Sequence, residues 1–229
     1  MRKAGWVLAG VLAAVVASNG ASADVKKGEF LVAPQGSLAV PVGDYPSPFI
    51  QGIPSTIKYG NYIQTGFSLS GSIERMLTTQ FALGADFGIN INPIDETPIL
   101  PLLQAASDTT STYEADFRWR TARIGGHGRW YFQPEKRANP YLHFGTGIYV
   151  DKLQTDITEV KRTGTRNNNT RSKSTTNLGV AFGPGILFRI SPDIRFSLDA
   201  IVHNVFTKDK SVRFLNVTLG MVIGVTPQQ

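Results

Sequence analysis

Ile63-Gln64-Thr65-Gly66-Phe67-Ser68-Leu69-Ser70-Gly71-Ser72-Ile73-Glu74 decides the fold of this chain. Reading every second residue gives Ile63, Thr65, Phe67, Leu69, Gly71 and Ile73 on one side, and Gln64, Gly66, Ser68, Ser70, Ser72 and Glu74 on the other. After a break at residues 75–79 the alternation resumes, with Phe81, Leu83, Ala85, Phe87, Ile89 and Ile91 set against Ala82, Gly84, Asp86, Gly88, Asn90 and Asn92. Period two held this long means extended strands, because a helix would scramble the two sets. The polar set is also the small set, with one carboxylate on each strand. That suits the inside of a narrow barrel, where space is short, and it leaves the large apolar side chains to point outward. A water-soluble sheet turns its bulk into a core; here the bulk reads as facing lipid.

Working outward, the 229 residues carry a formal net charge of +6 and no cysteine. Rigidity must then come from backbone pairing and packing rather than disulfides. Met1-Arg2-Lys3, an apolar run over residues 4–17 and the closing Ala21-Ser22-Ala23 make a charged start, a core too short to span and a small-x-small cleavage site. That is a secretory signal peptide, residues 1–23, with cleavage expected after Ala23 and residues 24–229 left as a single barrel domain. No later stretch approaches the roughly 20 apolar residues of a spanning helix, so membrane entry would be by strands. Metal-ligand clusters and cofactor motifs are not seen, and the three histidines, His127, His143 and His203, are far apart in sequence.

The remaining strands follow from the same alternation. Residues 28–42 form a first strand broken by Pro34 and Pro41, and residues 43–61 a long, unusually apolar loop. A second long connection spans residues 93–112. Strand four, 113–132, begins with Tyr113, Ala115, Phe117 and Trp119 on the apolar side and ends with Ala122, Ile124, Trp130 and Phe132 there. This change of parity predicts a β-bulge near residues 120–123. Strand five covers 140–158, a polar tip 160–176, strand six 177–190 with a second bulge predicted at Pro184, strand seven begins at 194, and strand eight covers 212–225. The prediction is all-β: an eight-stranded antiparallel transmembrane β-barrel. Ten strands would require splitting the long loops. Short turns on one side and long loops on the other match the asymmetry of outer-membrane barrels, and an even count lets the sheet close.

Three stretches carry a family likeness: Arg129-Trp130-Tyr131-Phe132 at a strand end, Asn139-Pro140-Tyr141-Leu142-His143-Phe144-Gly145-Thr146-Gly147 opening the next strand, and Gly183-Pro184-Gly185-Ile186 before a Ser-Pro-Asp turn. With these, nearly all of residues 24–229 resembles the small outer-membrane β-barrel family of the OmpA/OmpX type. The resemblance implies a porin-like barrel in the outer membrane of a Gram-negative cell envelope, in contact with outer-membrane lipid and lipopolysaccharide, inserted by the outer-membrane assembly machinery and monomeric. One departure is Val225 where such barrels commonly end on an aromatic residue.

Three groups of residues are candidates for function. Glu74, Asp86, Glu114, Asp116, Arg118, Arg120, Arg123, Arg129, Arg189, Arg195, Asp199 and Arg213 are read as inward charges. They would either plug the lumen as a salt-bridge network or line an ion path, and mixed signs in an eight-stranded barrel favour the plug. Lys161, Arg162, Arg166, Arg171 and Lys173 make a basic tip that is either simply solvated or binds an anionic partner outside the cell. Phe49, Ile50, Ile53, Ile99, Leu100, Leu102 and Leu103 make either a lid or a hydrophobic mouth for small apolar solutes, as in OmpW-like channels. Catalysis is not expected: the histidines read as inward, and His203-Asn204-Val205 has no nearby serine. Nucleic-acid binding is not expected either, since the basic tip has no interleaved aromatic residues. The main reading is a non-enzymatic surface-interaction barrel with a plugged lumen, and the alternative is a narrow channel. A soluble lipocalin-like barrel would need a bulky apolar interior.

Overall fold

The structure, a computed structural model, describes residues 26–43, 45–47, 59–105, 111–161, 163–208 and 211–225; the predicted signal lies outside them. Eight strands follow in order: β1 (Phe30–Pro41), β2 (Gly66–Met76), β3 (Phe81–Pro93), β4 (Ser111–Tyr131), β5 (Ala138–Lys161), β6 (Arg166–Arg189), β7 (Ile194–Phe206) and β8 (Ser211–Val225). A short helix, α1 (Leu100–Ala105), lies between β3 and β4. Each strand pairs antiparallel with its chain neighbours, and β8 pairs with β1 to close the barrel. Closure leaves lipid no row of unpaired N–H and C=O groups.

The wall is inverted relative to a soluble protein. Leu178, Ile124, Leu69 and Leu219 are 60–66% exposed on its outside, while Arg129 and Arg195 are 1–2% exposed within. A continuous exposed apolar surface of this kind has a favourable partner only in acyl chains. Near the short turns it ends in aromatic rings: Phe81 lies 6.1 Å from both Trp130 and Phe144, and the Arg75 guanidinium sits 5.5 Å over the Phe30 ring. Such amphipathic groupings suit the headgroup level.

Three strands are much longer than the rest: β4 has 21 residues and β5 and β6 have 24 each, against 11–15 for the others. About 9–11 residues cross a bilayer, so the far halves of β4–β6 stand beyond the belt on the long-loop side. The polar tip is therefore mostly strand, since β5 runs to Lys161 and β6 starts at Arg166.

The bulge predicted in β4 does not form. Its register runs unbroken from Phe81↔Trp130 to Pro93↔Arg118 with β3, and from Ser111↔Lys161 to Tyr131↔Tyr141 with β5. Parity stays constant; the solvent changes. At the edge of the belt and beyond it the outside is headgroup and water, so Glu114, Asp116, Arg118 and Arg120 point outward and Phe117 and Trp119 turn into the packed interior, the reverse of the sequence reading. The Pro184 bulge is absent too. The β5–β6 register is uniform through it, and pairing with β7 only lapses between Phe182↔Val202 and Gly185↔Asp199, where proline has no N–H to donate.

This orientation predicts a fluorescence result for residues 24–229 in bilayers with brominated acyl chains. Trp130, 46% exposed on the belt, is expected to be quenched, and Trp119, 3% exposed inside, is expected to be spared. Trp119→Phe should then leave the quenching nearly intact and Trp130→Phe should abolish it. Strong quenching in Trp130→Phe would mean that Trp119 faces lipid.

Candidate functional site

The barrel interior is filled in layers. At the short-turn mouth, Arg195 donates from Nη1 and Nη2, each 2.9 Å from Glu29 Oε1. Above this lies a small apolar layer that includes Leu31, Met76, Tyr131, Leu187 and Val222. In the middle, Arg129 Nη1 donates to Glu74 Oε1 at 2.7 Å, and His127 Nε2 lies 3.4 Å from Glu74 Oε2. His127 also stacks on His143 with ring centres 5.0 Å apart. The Arg129 guanidinium sits 5.1 Å over the Tyr141 ring, whose hydroxyl donates to Asp199. One level further out, Arg123 Nε is 3.3 Å from Asp86, Arg123 Nη1 donates to His203 Nε2 at 2.6 Å, and His203 Nδ1 is 3.0 Å from the Tyr149 hydroxyl oxygen. The outer end is closed by a second apolar layer in which Tyr45, Ile99 and Leu103 from the connections pack with Phe117, Trp119, Tyr149 and Phe214. Tyr45 meets Trp119 edge-on at 5.4 Å, and burial pushes its hydroxyl pKa up, with the Asp151 charge adding to the shift.

The small residues of the inner wall make room for these groups. A Cβ on Gly185 would fall 2.3 Å from Asp199 Oδ1 and 2.5 Å from Tyr141 Cζ, so only glycine lets Tyr141 lean across to its acceptor. On Gly224 it would fall 2.0 Å from Glu29 Oε1. Gly185→Val is expected to part Tyr141 from Asp199 and to cost about 1–3 kcal/mol as overpacking. A lowered urea midpoint in lipid vesicles would register the loss; an unchanged midpoint would show the wall yielding instead.

Of the charges read as inward, Glu74, Asp86, Arg123, Arg129, Arg195 and Asp199 share this interior. Glu114, Asp116, Arg118, Arg120 and Arg213 do not: they lie on the outer wall, Arg120 half-buried at the edge of the belt and the others beyond it, where water solvates them. There Asp116 pairs with Arg118, Glu114 accepts from Arg166 at 3.1 Å, and Arg213 donates to Asn204 at 2.9 Å. Arg189 is half-buried at the short-turn end, where it donates to the Ser191 carbonyl oxygen. The basic tip residues are not gathered into one cluster. Lys161 ends β5, Arg166 takes the outward parity of β6, and Arg171 and Lys173 take the opposite one. Arg162 lies outside the described residues. Nearby on β5, the Ser111 hydroxyl donates to Glu159 and holds its carboxyl below the usual range. In the apolar set, Ile99 and Leu103 are buried in the outer layer, Leu100 is half-buried and Leu102 is exposed, while Phe49, Ile50 and Ile53 lie outside the described residues.

Sequence reading missed Glu29, Tyr141 and Tyr149. Glu29 stands at a strand edge with parity opposite to Phe30 and Val32, which was the available signal. Tyr141 and Tyr149 carried the same signal, since both have the parity opposite to Phe144 and Ile148 on strand five.

No protein-family model and no curated protein matches the chain. Solved structures do. A major outer membrane protein from Thermus thermophilus aligns with TM-score 0.52 at 12% identity, over 86% of this chain and 99% of that one. Neisserial surface protein A aligns with TM-score 0.48 at 14% identity, over 86% and 99%. OprG from Pseudomonas aeruginosa aligns with TM-score 0.47 at 10% identity, over 88% and 98%. Closed eight-strand order, an apolar outer belt and the Thermus alignment agree: the chain has the fold of a small outer-membrane β-barrel.

Proposed function

We propose that this chain is a non-enzymatic integral protein of the outer membrane, exported by a signal cleaved after Ala23, whose barrel is an anchor with a plugged lumen. In this reading the assembly machinery inserts it as a monomer, and the projecting β4–β6 sheet is the part that meets the outside. The observation that carries it is the sequence of filled layers along the axis, from Arg195–Glu29 through Glu74–Arg129 and Asp86–Arg123 to the aromatic outer layer. Eight strands leave an interior wide enough only for side chains, and here the side chains interlock. The three histidines lie within the barrel, away from any lipid that a catalytic serine and histidine would have to reach.

Planar-bilayer recording tests this directly. The native barrel is expected to show no steady conductance, with heat-modifiable gel migration proving that it is folded. Steady, ion-selective openings by a folded barrel would replace the plug with the narrow-channel alternative. A water-soluble, protease-sensitive product would remove the membrane reading itself.

A further inference from the structure

Where the belt ends on the long-loop side, the outer wall changes abruptly. Ala122 and Val150 face each other across β4 and β5, and one pleat further out Arg120 and Lys152 do the same. Directly opposed side chains have Cβ atoms about 4.5–5.5 Å apart, and like charges so placed repel. Nothing in the described chain bridges this pair: neither residue makes an ion pair or hydrogen bond to another described residue, and Arg120 Nε is buried without a partner. The carboxylates of the same wall are engaged elsewhere, Asp116 by Arg118, Glu114 by Arg166, and Asp156 by the Gln154 amide. Two convergent cations without a counter-charge, at the height where acyl chains give way to headgroups, call for an anion from the membrane.

We propose that Arg120 and Lys152 form a two-pronged site for the phosphomonoester of a phosphorylated glycolipid in the outer leaflet. The lipid's acyl chains lie below on Ala122, Ile124, Ile148 and Val150, which continue the same outward rows of β4 and β5. A phosphate has the geometry for both prongs, taking paired N–H bonds from the planar guanidinium and a point charge from the ammonium. Both side chains are half-buried against the wall, so salt screens the contact less than it would two fully solvated charges. A sugar-based headgroup fits the polar strip above, where Gln154, Thr158 and Ser174 share the outward face. The inference rests on the outer-membrane reading and names the lipid that the barrel holds there.

The test uses residues 24–229 in phosphatidylcholine nanodiscs doped with lipid A, with retained lipid counted by native mass spectrometry after release into detergent. Arg120→Gln with Lys152→Gln is expected to lower lipid A retention roughly tenfold or more, as loss of charge-assisted bonds implies. Arg171→Gln with Lys173→Gln, at the tip, is expected to leave retention unchanged. Dephosphorylated lipid A and phosphatidylglycerol are expected to bind the native barrel no better than the double variant binds lipid A. Equal retention by the Arg120/Lys152 variant, equal retention of either comparison lipid, or loss confined to the tip variant would overturn the proposal. Heat-modifiable migration of each sample separates the two failures: a folded barrel without lipid preference sinks only this site, whereas a native chain that never folds into lipid sinks the membrane reading beneath it.

Discussion

Glu74→Leu is expected to cost about 3–5 kcal/mol, because it leaves Arg129 charged and buried without its carboxylate. Arg129 is 1% exposed and its Nη1 lies 2.7 Å from Glu74 Oε1, so water cannot replace the lost acceptor. His127, which also faces Glu74, loses a partner in the same step. The second half of the experiment separates a missing contact from a stranded charge. Adding Arg129→Met to Glu74→Leu is expected to recover most of the loss, since an apolar pair of similar volume carries no desolvation penalty. Urea unfolding in phospholipid vesicles measures both steps. If Glu74→Leu costs less than about 1 kcal/mol, the typical value of an exposed pair, the interior is wet and the plug is not a dry one.

Phe182→Arg should rank next, at about 2–4 kcal/mol for a cation facing the middle of the belt. Phe182 is 58% exposed, with Phe144 and Val202 as its cross-strand neighbours, so the new guanidinium meets acyl chains on every side. Ser174→Arg is the matched control. It has the same outward parity on the same strand but lies eight residues further along, beyond the belt, where the cost should fall to about 0–1 kcal/mol. The gradient between the two positions measures where the bilayer ends. Equal costs at both would show that the apolar wall is not immersed in lipid.

The hairpin of β2 and β3 was legible in the sequence because one alternation runs along its whole length in one environment. Inside the membrane, parity and polarity say the same thing: Phe87 faces out and Asp86 faces in. In β4 they part company. Tyr113, Phe117 and Trp119 have the parity of Arg123 and Arg129, and only the change from lipid to water outside the wall reconciles them. A reading that ties apolar to outward must invent a bulge there, although the backbone runs straight. The same cause misplaced Glu114, Asp116, Arg118 and Arg120, and it concealed the opposed Arg120 and Lys152. The ion pairs could not be read at all. Glu29 and Arg195 are 166 residues apart in sequence, and only the β8–β1 pairing and the β7–β8 pairing together bring them within reach.

The β1–β8 seam joins the first strand to the last, from Phe30↔Val225 to Pro41↔Phe214. Its completion therefore waits for the whole polypeptide to be delivered, and the most distant pairing in the chain is also the one that removes the final open rims. A nascent chain stopped before Ser211 does not yield a smaller cylinder; it yields a curled ribbon whose two margins, β1 and β7, stay raw in a solvent unable to satisfy them. For this architecture the sheet has no open rim only once its last fifteen residues have bridged β7 to β1.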